Sequence, residues 1–345
     1  MSITKSVEKL IKSRNHQGQI NLNRFDANRE NSFVYGSNAK CWFKFNDGRV
    51  LFKSYDNPLE AYGEVLYCTL AKKHGIRCAK YDFATYKDES GTISYDVAFN
   101  DGIAIDGLTL VSRYNAKQLP DMITKGTKNL EVISMLNKRY NNYESLVSIF
   151  GKRYPDDSKS LEENLIKTFV LDVLLDHADK NLWNIMIVTN EYGYNAELYS
   201  IDSSHIACLY RGEDYIKGAI NSLLASDGTI TIEDYLQGGV YGYDVDVKGR
   251  DYNPAKDLID FYYNGDEIQR EMIANLVKEI DINEAIEEVG QIYKVDPIIE
   301  TWIKAVFNSR KSFLLKKFYH INDNYRGEHT KKNFNMRNLN KKRSK

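Results

Sequence analysis

Apolar residues at Ile3, Val7, Leu10 and Ile11 recur at helical spacing and predict a short helix over residues 3–11. A polar stretch follows to about Asn31. From Phe33 the pattern turns to alternation, and Cys41-Trp-Phe-Lys-Phe45 and Arg49-Val-Leu-Phe-Lys53 flank Asn46-Asp47-Gly48. Two β-prone runs around Asp-Gly predict a hairpin, because both residues tolerate the positive φ of a tight turn. Residues 58–74 read as a helix, and the runs YDFATY, ISYDVAF and LTLVSRY read as further strands. The first third is thus expected to be a small sheet crossed by one helix.

Beyond it the period is mostly helical. Ser160-Leu-Glu-Glu163 reads as a capping box, in which Ser and Glu satisfy free amides at a helix start. The helix it would open carries Leu165, Ile166, Phe169, Val170, Val173 and Leu174 on one face, a stripe to be buried. It runs into Asp176-His177-Ala178-Asp179, after which NIMIV and AELYSID read as two short strands. Later helices are expected near 255–264, 267–280, 283–293 and 298–320, the last opened by Asp296-Pro297 as cap and first position. From Arg326 to Lys345 eight Lys/Arg stand against one Glu with no apolar period, which reads as a disordered basic tail. Contact of this tail with a phosphate backbone is the alternative use of such charge.

Composition narrows the class. A chain of 345 residues can bury one large core or two modest lobes. A formal net charge of −1 gives no whole-molecule attraction to nucleic acid or membrane. Cys41, Cys68, Cys78 and Cys208 show neither CxxC nor zinc spacing, so free thiols in a reducing compartment are expected. No HExxH occurs among the six histidines, which removes support for a zinc hydrolase. Charges interrupt every apolar run near the N-terminus, so no signal peptide or membrane span is expected there and the reading is cytoplasmic.

The chemistry concentrates in His177-Ala-Asp179-Lys-Asn-Leu-Trp-Asn184 and in Tyr199-Ser-Ile-Asp202. Phosphoryl transfer needs a carboxylate to orient the attacking hydroxyl, and hard oxygen ligands for a magnesium ion bridging the phosphates. Asp179 and Asn184 stand five apart, and Asp202 ends the next apolar strand eighteen residues after Asn184. Asp and Asn also form turns, so the spacing alone is weak. Its place after an apolar helix and before a hairpin strengthens it. The same reading requires, upstream, a phosphate-covering loop, then a strand Lys, then a helix Glu. Tyr35-Gly36-Ser37-Asn38-Ala39-Lys40 stands where the loop is needed, and Lys53 ends the second hairpin strand. Glu60 and Glu64 share one helix face, and either suits Lys53 by spacing alone.

These motifs resemble the HipA-like kinases. Glu64-Val-Leu-Tyr-Cys68-Thr-Leu-Ala71 followed by Gly75-Ile76 resembles the family's Glu-bearing helix, a register that selects Glu64 over Glu60. Leu110-Val-Ser-Arg113-Tyr114 resembles the hinge that holds adenine, and Gly36-Ser-Asn-Ala-Lys40 the short phosphate loop. The resemblance covers roughly residues 33–210, and Asn115 stands where the hinge usually has an acid. Ser203-Ser204 stands in place of Phe-Gly after Asp202, so regulation by a Phe flip is not expected. With few residues ahead of Gly36, the chain is closer to the short, single-module members of HipT or CtkA type.

The resemblance implies an α+β, two-lobed protein-kinase-like fold. Its parts would be an N-terminal helix and polar lead-in (1–30), a β-rich N-lobe (31–114), a helical C-lobe with the catalytic loop (115–322) and the basic tail (323–345). It implies ATP and Mg2+ as cofactors, with Asp179, Lys53 and Glu64 catalytic and Asn184 and Asp202 on the metal. ATP would lie against Gly36, Ser37, Asn38, Lys40, Lys53, Ser112 and Tyr114. A Ser/Thr or Tyr acceptor on a protein is implied, such as a translation factor or aminoacyl-tRNA synthetase, in a toxin–antitoxin setting with an antitoxin partner. Autophosphorylation in the phosphate loop would fall on Tyr35, Ser32 or Ser37, where added charge opposes closure over ATP. His177-x-Asp179 is also similar to the loop of aminoglycoside and choline phosphotransferases, with His177 structural. Glu233, Asp234, Asp244 and Asp246 would then form an acceptor pocket for an amine. A non-catalytic, pseudokinase-like scaffold using the basic tail is the reading outside enzymology.

Overall fold

A computed structural model describes residues 5–25, 28–30, 40–45, 48–98, 102–114, 143–232 and 254–319. The phosphate loop with Ser32, Tyr35, Gly36, Ser37 and Asn38 lies outside the described residues, as do Asn115, the acids Glu233, Asp234, Asp244 and Asp246, and the basic tail.

The chain opens with helix α1 (Lys5–Lys12), strand β1 (Ile20–Asn21), β2 (Asn28–Glu30), β3 (Lys40–Phe45) and β4 (Gly48–Ser54). Helix α2 (Pro58–Lys73) follows, begun by the Asn57 side chain, which accepts from the Leu59 amide, with Pro58 in the first turn. Then come β5 (Tyr81–Tyr86), β6 (Glu89–Tyr95), β7 (Ile103–Asp106) and helix α3 (Gly107–Tyr114). Helices α4 (Tyr143–Arg153) and α5 (Ser158–Leu174) lead to β8 (Ile185–Thr189) and β9 (Glu197–Ser200). The described residues beyond them form five α-helices: α6 (Glu213–Ala225), α7 (Pro254–Asn264), α8 (Glu267–Glu279), α9 (Asn283–Gly290) and α10 (Pro297–Phe318). The α+β class expected from the sequence, a mixed sheet followed by a mostly helical remainder, is the one observed.

Three expectations are corrected. The strand expected at ISYDVAF lies earlier, since β6 runs from Glu89 and ends at Tyr95. LTLVSRY is not a strand: the strand is the preceding Ile103–Asp106, and the run itself is α3. Asp106 explains the change, because its carboxylate accepts from the Thr109 amide at 2.8 Å and its hydroxyl at 2.7 Å, which starts a helix. Leu108 and Val111, three apart, are then both buried. Likewise α5 begins at Ser158, so Ser160 lies inside its first turn and caps nothing; the Leu161 amide bonds the Asp157 carbonyl instead.

The chain divides into two compact units, Met1–Thr168 with Asp179–His205 and Ala285–Lys294, and Phe169–Ala178 with Ile206–Glu284 and Val295–Lys345. In the first, six strands form a sheet in the order β1-β5-β6-β4-β3-β2, antiparallel except for the parallel β1–β5 pair. Alternation buries Phe43, Val50, Phe52 and Ile93 on one face with Leu10, Ile20 and Leu22. A second, antiparallel sheet of β7-β8-β9 packs Ile185, Ile187 and Leu198 with Leu110 and Val111 of α3 and Phe150 of α4. In the second unit, α10 buries Trp302, whose indole donates to the Ala207 carbonyl at 2.8 Å, and Arg310, which pairs with Asp176 at 2.7 Å. All four cysteines are free thiols, and among the described residues no helix is long and apolar enough to cross a membrane.

Candidate active site

Sheet register builds the site. On β4, Lys53 pairs directly with Lys40 of β3 on one side and with Thr92 of β6 on the other. Like charges facing across strands repel, so this register needs carboxylates to hold it. Helix α2 supplies the first. Glu64 is fully buried; one oxygen accepts from Lys53 Nζ at 2.6 Å, and the other accepts from Thr92 Oγ1 at 2.8 Å and from the Tyr55 hydroxyl. Asp202 supplies the second, taking Lys53 Nζ on Oδ1 at 2.5 Å with Lys40 Nζ 3.9 Å from Oδ2.

Close backbone approach fixes Lys53. A Cβ at Gly91 of β6 would stand 1.9 Å from the Lys53 carbonyl oxygen, so only glycine lets β6 run against β4 there.

The downstream carboxylate is positioned by β8–β9. Ile185 pairs with Ser200, and one step further the Ile201 amide donates to the Asn184 carbonyl at 3.0 Å. Asn184 and Asp202 are thereby neighbours at the ends of paired strands. The Ser200 carbonyl accepts from the Ala79 amide at 2.8 Å, and the Asp202 amide donates to the Tyr81 hydroxyl at 2.9 Å. Asp202 takes a left-handed backbone, φ 53°, and Ser203 and Ser204 after it are buried.

Asp179 and Asn184 share one loop. Asn181 caps the short 3-10 turn Leu182–Asn184 by accepting from the Trp183 amide at 2.9 Å, and its Nδ2 donates to Asp179 Oδ1 at 3.1 Å. Asn184 Nδ2 donates to the Asp179 carbonyl at 2.6 Å. That bond orients the amide, because its oxygen would repel a carbonyl, and Oδ1 is left over as a hard donor. The start of α3 sits against the same turn, where a Cβ at Gly107 would be 2.7 Å from the Leu182 carbonyl oxygen.

The electrostatics follow from these contacts. Burial acts to lower the pKa of Lys53, but Glu64 and then Asp202 outweigh it and hold the ammonium above its ordinary range. Lys40 moves down, through burial first and the facing Lys53 second, against Asp202 and Glu64. Burial would raise Asp202, yet Lys53 and Lys40 hold its carboxyl at about 2. Burial, and then the Glu64 charge, push the Tyr55 and Tyr81 phenols well up, so both stay neutral.

Lys40, Lys53, Glu64, Asp179, Asn184 and Asp202 all lie in the first unit. Lys53, Glu64, Asp202 and Lys40 are joined by direct contacts, and Asp179 and Asn184 by another. Ser112 and Tyr114 lie in the last turn of α3. Lys180 donates to Ser200 Oγ at 2.5 Å. His177 is buried, its ring 3.8 Å from Asp172 and its amide on the Asp172 carbonyl at 2.8 Å. Sequence reasoning missed Tyr55, Thr92, Tyr81, Asn181 and His205. Asn181 alone carried a signal, as an Asn ahead of a short helical turn.

Four of these groups suit a magnesium nucleotide: the Asn184 amide oxygen, the Asp202 carboxylate kept ionised to low pH, and the buried Lys53 and partly buried Lys40, which can meet phosphate charge. Among the described residues no cluster of three or more His, Cys, Asp or Glu is arranged as a metal cage. A magnesium ion bound with phosphates takes only one or two carboxylates from protein.

No family model matches the chain, and no curated protein matches it. Among solved structures it is similar to the Helicobacter pylori proinflammatory kinase CtkA, with TM-score 0.60 and 14% identity over 88% of this chain and 99% of that one. It is also similar to the Shewanella oneidensis MR-1 toxin–antitoxin HipA, solved with HipB and operator DNA, at TM-score 0.45 and 14% identity over 91% and 70%. At such identity the likeness is one of fold, and it rests on the first of the two. The chain has a protein-kinase-like fold, and the resemblance to the short CtkA-type kinases carried by its motifs is borne out in that fold.

Proposed function

We propose that the chain is an ATP- and Mg2+-dependent protein kinase that transfers phosphate to a Ser/Thr or Tyr hydroxyl. The observation that carries this reading is Lys53 bonded at once to Glu64 and Asp202, with Asn184 brought beside Asp202 by strand pairing. Lys53, held by Glu64, neutralises phosphate charge, and Lys40 adds to it. Asn184 Oδ1 and Asp202 would hold magnesium, which supplies charge neutralisation across the bridging phosphates. Asp179, with half its side chain exposed, orients the acceptor hydroxyl and draws on its proton. Catalysis is then mainly positioning and electrostatics. Gly36, Ser37 and Asn38 as a phosphate loop, and autophosphorylation on Tyr35, Ser32 or Ser37, belong to the same proposal by resemblance. Adenine near Ser112 and Tyr114 does too; the last turn of a helix offers it carbonyls without intrahelical partners. A toxin-type substrate in translation and an antitoxin partner follow from the resemblance, and the similar HipA structure includes HipB.

The test is phosphate transfer from labelled ATP with magnesium, to itself and to a panel of protein and amine acceptors. Wild type should label protein, and Asp179→Ala and Asp202→Ala should not. Labelling of amines alone would replace the acceptor with a small molecule. ATP binding without transfer to any acceptor, unchanged by both substitutions, would leave the scaffold reading.

A further inference from the structure

Helix α2 carries a second carboxylate one turn before Glu64, and Lys53 does not use it. Glu60 is mostly buried, its side chain 13% exposed, and faces His205 instead, with His205 Nε2 3.4 Å from Glu60 Oε2. The other ring nitrogen, Nδ1, stands 3.9 Å from Asp179 Oδ2. One imidazole therefore stands between the helix that holds Lys53 and the carboxylate that faces the acceptor. Asp179 Oδ1 accepts from Asn181 at 3.1 Å, while Oδ2 faces His205 at ion-pair distance. A carboxylate oxygen has two lone pairs, so each can still receive a hydroxyl.

We propose that His205 is a positioning residue that ties the Asp179 carboxylate to helix α2 through Glu60. This rests on the reading of Asp179 as the group that orients the acceptor. Glu60 and Glu64 stand one turn apart on α2, so one helix holds both the lysine and, through His205, the base.

The bridge depends on protonation. A neutral imidazole donates from one nitrogen and presents a lone pair at the other, so it can serve only one of two carboxylates. The groups facing it agree: Glu60 from α2, Asp179 from the catalytic loop and Asp202 from its own segment are all acidic. Burial lowers its pKa, but the Glu60 bond and the Asp179 charge outweigh burial and leave it raised. A raised pKa means the bridge is complete below the ordinary histidine value and is lost as pH rises through the folded one.

Two readouts test this on the full chain. In histidine NMR, with the His205 signal assigned from its loss in His205→Gln, His205 should titrate above about 6.5, the ordinary value. It should move down in Glu60→Gln and in Asp179→Asn. In steady-state assays, His205→Gln should lower kcat on the order of 10-fold or more, as small misplacements of a reacting group do, with KM for ATP within about twofold. Its rate should lack the alkaline fall of wild type, and Glu60→Gln should shift that fall to lower pH. An ordinary titration that neither carboxylate substitution moves overturns the bridge, as does a His205→Gln rate and pH profile equal to wild type. Because the titration needs no turnover, an inactive wild type would count against the kinase reading while the NMR still decides the bridge.

Discussion

Lys53 sits almost fully buried between two carboxylates, and its environment would be costly if either were missing. Two lysines opposite one another on paired strands are balanced by Glu64 and Asp202. Removing one partner of a buried pair typically costs about 3–5 kcal/mol, because the other is left buried and uncompensated. Glu64 is further locked by Tyr55 and Thr92, so it is a fixed post for Lys53. Asp202 is the exposed end of the set, and its carboxyl held at about 2 lies below the unfolded value. A depressed carboxyl stabilises the fold above its unfolded pKa, and that contribution is lost as pH falls toward about 2. Urea unfolding between pH 5 and pH 2 should therefore show a steeper acid loss in wild type than in Asp202→Asn. Equal slopes would mean that the lysines do not hold Asp202 in solution.

At the scale of elements, β4 and α2 matter most, since one carries the lysine and the other carries both glutamates. Glu60 and Glu64, four apart, point to different partners, His205 and Lys53. Strand β6 fixes how β4 lies, through the missing side chain at Gly91. Gly91→Ala should force β4 and β6 apart at Lys53, costing about 1–3 kcal/mol as overpacking does and weakening ATP binding with it. Denaturant unfolding and nucleotide titration would check both. A variant with wild-type stability and affinity would show that the strands adjust freely at this point. The pairing of β8 with β9 does similar work downstream, since it makes neighbours of Asn184 and Asp202, eighteen residues apart in sequence.

For the whole molecule, a ligand that binds only the folded chain must raise its stability. At a hundredfold excess over Kd the gain is about 2.7 kcal/mol. Adding magnesium and ATP together should shift the unfolding transition of wild type by an amount of this order, and leave Asp202→Asn nearly unmoved. An unchanged wild-type transition at millimolar nucleotide would remove the ATP proposal.

Periodicity and turn chemistry along the chain determined most elements, among them the hairpin strands, α2, the β8–β9 pair and α10 opened by Asp296-Pro297. The order of loop, Lys, Glu, Asp, Asn, Asp also named the residues for the site, because each chemical role restricts residue type and spacing. The sequence misread Leu108–Tyr114, where short apolar runs fit either period and the decision lay with one aspartate cap. Choosing between Glu60 and Glu64 by spacing alone was beyond it as well, since both stand on one face. Tertiary structure settled that choice by bringing Lys53 of β4 and Thr92 of β6 to Glu64. The contacts of His205, Tyr55, Tyr81 and Thr92 arose only there. They depend on which side chains strand register and backbone approach bring within bonding distance, and a linear pattern of residue types holds no record of that distance.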